Sequence, residues 1–292
     1  MNDQAEQLRR IMSSVKPTED IKRNMKIITV ASGKGGVGKS NFSVNFSLCL
    51  KAQGKIPILL DADFGLANVE IILGERPQYN LSHLIKSECE FKDLVTQSKY
   101  GISFISGGSG INEMMFLSAD KVEEISKSLM QLETMTDTLV IDMGAGINDI
   151  VVKFCMLAHE VYVIVTPEPT SITDGYALIK TLKSDFTMES KIKLVINKAE
   201  SKEEAHQVFT KLYSVCKNFL KTEIEYAGYI PYDEKVLKAV KAQVPIWVYD
   251  KKSKASEAYY QISRNLLYEK GEPLKTDEKI NWVSRFKKLF TS

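Results

Sequence analysis

The chain has 292 residues, 39 basic and 37 acidic side chains, a net charge of +2 and 44% hydrophobic residues. That length suits one large α/β domain or two small ones, and near-neutral charge makes nucleic acid an unexpected partner. No run of ~18 apolar residues is present to cross a bilayer and no export leader is recognisable, so a cytoplasmic protein is expected.

In chain order, Ala5, Leu8, Met12 and Val15 recur at helical spacing ahead of Pro17. This predicts a short amphipathic helix that folds on a partner, being too short to stand alone. Apolar strands are then predicted over 27–31, 56–60, 102–105, 139–141, 161–166, 192–196 and 226–230, with helix-like segments between them. The alternation predicts an α/β fold, a doubly wound and mainly parallel sheet with helices on both faces. No linker divides the middle of the chain, so one domain is expected over 25–272. Residues 1–24 then form an N-terminal tail and 273–292 a C-terminal helix. Four widely spaced cysteines (Cys49, Cys89, Cys155, Cys216) fit reduced, mostly buried thiols. His83, His159 and His206 are isolated and suggest surface or capping positions.

The first strand ends in Gly33-Lys34-Gly35-Gly36-Val37-Gly38-Lys39-Ser40, which satisfies the phosphate-loop pattern G-x-x-x-x-G-K-[ST]. Phe42, Val44, Phe46, Leu48 and Leu50 follow with no breaker, as in a buried helix. In that context backbone N–H groups of Gly35 to Ser40 can curl around phosphate oxygens at a helix N-terminus. Lys39 would neutralise the β- and γ-phosphates and the Ser40 hydroxyl would hold Mg²⁺. Two later strands close on carboxylates. One ends in Asp61-Ala62-Asp63-Phe64-Gly65-Leu66-Ala67-Asn68, the other is Thr138-Leu139-Val140-Ile141-Asp142. Asp61 and Asp142 are candidate magnesium ligands, and Asp63 is a candidate to orient the attacking water.

The second lysine, Lys34, makes the loop similar to the deviant Walker A family, which includes the MinD and ParA ATPases and the iron protein of nitrogenase. The resemblance covers about residues 25 to 270 and adds D-x-D-x-G-L-x-N from Asp61 to Asn68. It implies an ATP-bound homodimer in which Lys34 reaches the phosphates held by the other subunit. Met143 and Gly144 depart from the family, which usually carries a small hydroxyl residue and then Pro-Ala-Gly there. No cluster-binding loop appears around Cys155, which argues against the iron-protein branch.

Ile192 to Glu200 ends in Asn197-Lys198-Ala199-Glu200, close to N-K-x-D but with glutamate in fourth place. The resemblance implies ATP, with the Asn197 amide on the adenine edge and Pro231 flanking the ring. Asp3-Gln4-Ala5-Glu6-Gln7-Leu8-Arg9 matches D-Q-A-x-x-L-R, the N-terminal motif of the flagellar branch of MinD-like ATPases. That match implies activation of an FlhF-type GTPase through Gln4, with Asp3, Ala5, Leu8 and Arg9 around it, and contact with flagellar switch-complex proteins. Trp282, Val283, Phe286, Leu289 and Phe290 group on one side of a C-terminal helix flanked by Arg285, Lys287 and Lys288. This is similar to the membrane-targeting tail of MinD and implies reversible binding to an anionic membrane surface at its cytoplasmic side. A helix packed on its own domain is the alternative, and the two can alternate with nucleotide state. A cell-division MinD would lack the Asp3–Arg9 segment. A ParA-type DNA protein would need basic clusters such as Lys235, Lys238 and Lys241 to face nucleic acid.

Overall fold

The computed structural model describes residues 24–63, 68–186, 188–269, 272–273 and 282–291. The N-terminal segment with Asp3, Gln4, Ala5, Leu8 and Arg9 lies outside the described residues.

Eight strands form one sheet: β1 (Lys26–Ala31), β2 (Pro57–Ala62), β3 (Thr96–Gln97), β4 (Ser103–Ser106), β5 (Thr138–Met143), β6 (Glu160–Val165), β7 (Lys191–Ala199) and β8 (Glu225–Pro231). Their order is β3-β4-β2-β5-β1-β6-β7-β8. Only the β3–β4 pair is antiparallel. Seven of these strands occupy the regions expected from apolar runs. Strand β3 is two polar residues long and exists because the edge of β4 is there to pair with. The second strand begins at Pro57, one residue late, because Ile56 is 41% exposed and its carbonyl accepts from the Thr136 hydroxyl.

The longer helices and those at the site are α1 (Lys39–Ala52), α2 (Asn68–Leu73), α3 (Ala119–Leu129), α4 (Asp149–Leu157), α5 (Pro169–Lys180), α6 (Lys202–Val215), α7 (Glu234–Lys241), α8 (Lys254–Leu267) and α9 (Trp282–Thr291). Alternate residues of each central strand face opposite layers. Ile28 and Val30 of β1 pack with Phe42 and Phe46 of α1 and Tyr259 of α8, while Ile27 packs in the layer that holds Phe154 and Phe286. Helix α1 is buried even at polar positions. It tolerates this because Ser43 donates to the Asp142 carboxylate, Ser47 to the Ser43 carbonyl and Asn45 to that of Asn41.

At the far end of the sheet from the phosphate loop, Glu160 is buried beside Lys26 at 2.7 Å and Lys193 at 3.1 Å. Burial opposes its charge, yet the two ammonium groups hold its carboxyl below the usual range. The four cysteines are free thiols, three of them buried. His83 completes the capping box of a short helix, and His159 Nδ1 accepts from the Ile27 N–H. Among the described residues no helix is long and apolar enough to cross a membrane.

Helix α9 is docked. Its Trp282, Val283, Phe286 and Phe290 are buried and Leu289 is partly buried, all packed in the layer with α3 and α4. Phe290 meets Phe154 edge-on at 5.8 Å and stacks on Phe286 at 4.6 Å. Polar contacts ring the apolar seat: Trp282 Nε1 donates to Glu133, Arg285 pairs with Glu189, and Lys287 pairs with Glu123. The face expected to meet lipid is thus turned into the protein's own core in this structure.

Candidate nucleotide site

Strands β2, β5 and β1 are neighbours, so their carboxyl ends bring the two aspartate strands and the phosphate loop together. Asp61 of β2 lies directly across from Asp142 of β5, which also pairs with Val30 of β1. The carboxyl ends of a doubly wound sheet are where such folds bind ligands.

The loop turns into α1 at Gly38, whose φ of 96° is a left-handed conformation that a side chain would strain. Lys39 is buried, and its Nζ donates to Ser32 Oγ at 3.0 Å, which in turn donates to the Lys34 carbonyl at 2.7 Å. Burial pushes the Lys39 ammonium below its ordinary range, while Asp142 and Asp63 oppose that shift. A group so placed gains from an anion brought beside it.

Asp142 accepts from Ser43 at 2.8 Å through Oδ1, and its buried Oδ2 has no hydrogen-bond partner. Burial raises its carboxyl to about 6, with the Ser40 and Ser43 hydroxyls and Lys39 opposing. Asp61 is raised to about 8, by burial first and then by the Asp142 charge. Both Asp61 oxygens already accept backbone N–H groups, from Asp63 at 3.1 Å and Val69 at 3.1 Å. An orphaned carboxylate oxygen beside a serine hydroxyl is a hard-oxygen donor set that fits Mg²⁺. Asp142 and Ser40 stand at the front of it, and Asp61 is committed to the backbone that opens α2.

Asp63 accepts from Asn68 Nδ2 at 2.9 Å, and a Cβ at residue 144 would come within 2.9 Å of Asp63 Oδ1. The departure from the family at Gly144 therefore makes room for this carboxylate. The Gly146 N–H donates to the Ser32 carbonyl at 3.0 Å, tying the end of β5 to the phosphate loop.

Lys34 points away from the cradle. Its Nζ donates to Glu168 Oε2 and Thr170 Oγ1, each at 2.8 Å, at the N-terminus of α5. Asn197, expected at the adenine edge, donates from Nδ2 to the Val37 carbonyl at 2.7 Å and accepts at Oδ1 from the Lys198 N–H at 2.9 Å, with a second amide N–H still to offer. Pro231 sits at the end of β8, paired with Ala199. Ser32, Glu168 and Thr170 are site neighbours that sequence reading passed over, and Asn68 and Lys198 stand in motifs without a role of their own there. The one signal for Glu168 and Thr170 was the Thr166-Pro167-Glu168-Pro169 turn directly after β6, the strand beside the loop strand.

The fold and this site define a P-loop NTPase. A family model described as ParA, NUBPL iron-transfer P-loop NTPase, matches residues 23–267, and the chain belongs to that ParA/MinD family. It is similar to the antiactivator FleN of Pseudomonas aeruginosa, 40% identical over 242 residues that cover 83% of this chain and 86% of FleN. It is also similar to the flagellum site-determining protein YlxH of Helicobacter pylori, 33% identical over 79% of this chain and 78% of YlxH. In three dimensions it matches a chain of the MinC:MinD cell division protein complex of Aquifex aeolicus with a TM-score of 0.67 and 26% identity, covering 86% of this chain and 98% of that one.

Proposed function

We propose that this protein is an ATP-dependent dimerising switch that regulates flagellar number and placement. The observation that carries the dimer is the direction of Lys34. It is the only loop cation that leaves its own cradle, and the exposed Glu168–Lys34 pair that holds it is weak enough to exchange for a triphosphate. Presented at the rim, Lys34 completes the site of a second copy in the way an arginine finger does.

Within each subunit, Lys39 and the loop N–H groups bind the β- and γ-phosphates. Ser40 and Asp142, with Asp61 behind them, would hold Mg²⁺, which would supply charge neutralisation of the phosphate oxygens. Asp63 accepts from the attacking water and turns it toward the γ-phosphate. Its own orientation is fixed by Asn68 and by the gap above Gly144. ATP is the proposed nucleotide, with Pro231 beside the base.

Helix α9 supplies the output. Its seat is imperfect, with a void of about 40 Å³ between Trp282, Phe286 and the side chains of Ile125, Leu129, Phe154 and Leu157. A void forfeits part of the packing energy, so release onto an anionic surface costs less than unfolding a close-packed helix. Two tails in a dimer bind a membrane far better than one. The flagellar assignment is supported by the likeness to FleN and YlxH and by the Asp3–Arg9 motif. Through Gln4 that motif activates an FlhF-type GTPase, and contact with flagellar switch-complex proteins follows from the same assignment. The test is GTP turnover by that GTPase with wild-type protein and with Gln4→Ala. Stimulation by the first and not the second is expected, and equal turnover with both would remove the flagellar reading.

A further inference from the structure

The chain enters the sheet beside the seat of α9. Met25 is buried in the same apolar layer as Trp282 and Phe286. The Lys26 N–H donates to the Asp137 carbonyl at 2.9 Å, just past the short helix Leu132–Met135, whose Glu133 accepts from Trp282. The 23 residues that precede Asn24 lie outside the described residues, and their point of attachment is the Trp282 end of that groove.

What the groove accepts can be read from its occupant. The apolar faces of α3 and α4 take Phe286 and Phe290, and Glu123, Glu133 and Glu189 stand around them as an acidic rim. Glu189 holds Arg285 at 3.1 Å and Glu123 holds Lys287 at 2.6 Å. A void of about 40 Å³ remains, so the specification is loose: apolar side chains at helical spacing with cations beside them.

A second segment of the chain meets that description. Leu8, Ile11, Met12 and Val15 recur at i, i+3, i+4 and i+7, with Arg9, Arg10 and Lys16 among them. Eight residues, 16–23, join Val15 to Asn24 and span about 26 Å when extended, against about 15 Å for the ten-residue α9. The segment can therefore reach along the groove on its own tether. Its side chains are smaller than Trp282, Phe286 and Phe290, so α9 is the preferred occupant while it is at home.

We infer that the groove under α9 is a shared seat, which residues 8–16 of the same chain occupy when α9 leaves for an anionic surface. The inference rests on the reading of α9 as the membrane-binding helix. Seating the segment covers apolar surface that release of α9 would otherwise bare, and so lowers the cost of release. By linkage, a partner that grips the segment empties the groove and draws α9 back from the membrane.

The test is hydrogen exchange over residues 119–129 and 149–157 of the full chain, with α9 driven off in two ways. Anionic vesicles do so for wild type, and Phe286→Glu does so without lipid. Each is compared with the same protein carrying Ile11→Asp and Met12→Asp. With α9 off, the two aspartates should speed exchange by about threefold or more, the loss of a tethered occupant at millimolar effective concentration. In lipid-free wild type, with α9 at home, they should change nothing. A peptide of residues 1–20 added to Phe286→Glu with both aspartates should slow exchange again. Equal exchange with and without the aspartates in Phe286→Glu would overturn the shared seat. Faster exchange in lipid-free wild type would overturn it too, by placing the segment elsewhere on that layer. Failure of wild type to sediment with anionic vesicles would overturn the membrane reading beneath, while the lipid-free comparison still judges the seat.

Discussion

Asp63 and Gly144 fit together: the Asp63 carboxylate lies 2.9 Å from where a side chain at residue 144 would begin. Gly144→Ala therefore pushes that carboxylate off its place beside Asn68. Misplacing a catalytic group by about 1 Å can cost up to about 10²-fold. The expected result is lower steady-state ATP turnover with nucleotide affinity kept within about twofold, read from phosphate release and equilibrium binding. Turnover at the wild-type rate would show that Asp63 does not need the gap.

Asp63→Ala removes the water-orienting group altogether. It should bind ATP and dimerise while hydrolysis falls by about 10²–10⁴, leaving a trapped dimer. Single-turnover hydrolysis beside a sizing run separates the two effects. A rapidly hydrolysing variant would move the role to another residue.

Much of this site was legible in the sequence. The loop, Lys39, Ser40, Asp61, Asp63 and Asp142 lie in short runs at the ends of apolar strands, and parallel order places those ends together. Three features were not legible, because each depends on a contact between distant parts of the chain. Lys34 meets Glu168 and Thr170 across more than 130 residues. Asn197 faces the loop because β7 twists at Lys198, which no local pattern announces. Helix α9 has a face equally suited to lipid and to a protein groove, and only the seat between α3 and α4 decides which one it meets here.

Phe286 is 2% exposed in that seat. Phe286→Glu places a charge among the apolar side chains of Ile125, Leu129, Phe154 and Leu157, so α9 should leave the groove, and the same charge repels an anionic membrane. Hydrogen exchange over residues 119–129 and 149–157 should speed up, while co-sedimentation with anionic vesicles should be lost. Protection equal to wild type would mean that the docked helix contributes little to that layer. Undiminished vesicle binding would mean that another surface meets the lipid.

Glu160 makes a stability prediction with a defined pH sense. Its folded-state carboxyl is held below the ordinary 4.5, so its ion pairs with Lys26 and Lys193 contribute fully above that value and fade as pH falls through the folded-state value. Glu160→Gln leaves both ammonium groups without this counter-charge. The cost is about 3 kcal/mol near neutrality, the low end for a broken buried pair because Lys26 is partly open to solvent. Urea unfolding at neutral and acid pH should show the gap from wild type narrowing in acid. A gap that widened in acid would contradict the assignment.

In the proposed switch, ATP joins two copies through Lys34. The most direct measurement is the mass in solution of wild type, Lys34→Ala and Lys39→Ala, each with magnesium ATP and with magnesium ADP. Wild type should be dimeric with ATP and monomeric with ADP. Lys39→Ala should stay monomeric for want of bound nucleotide, and Lys34→Ala should bind ATP yet stay monomeric. A Lys34→Ala protein that dimerises with ATP as readily as wild type would contradict the account.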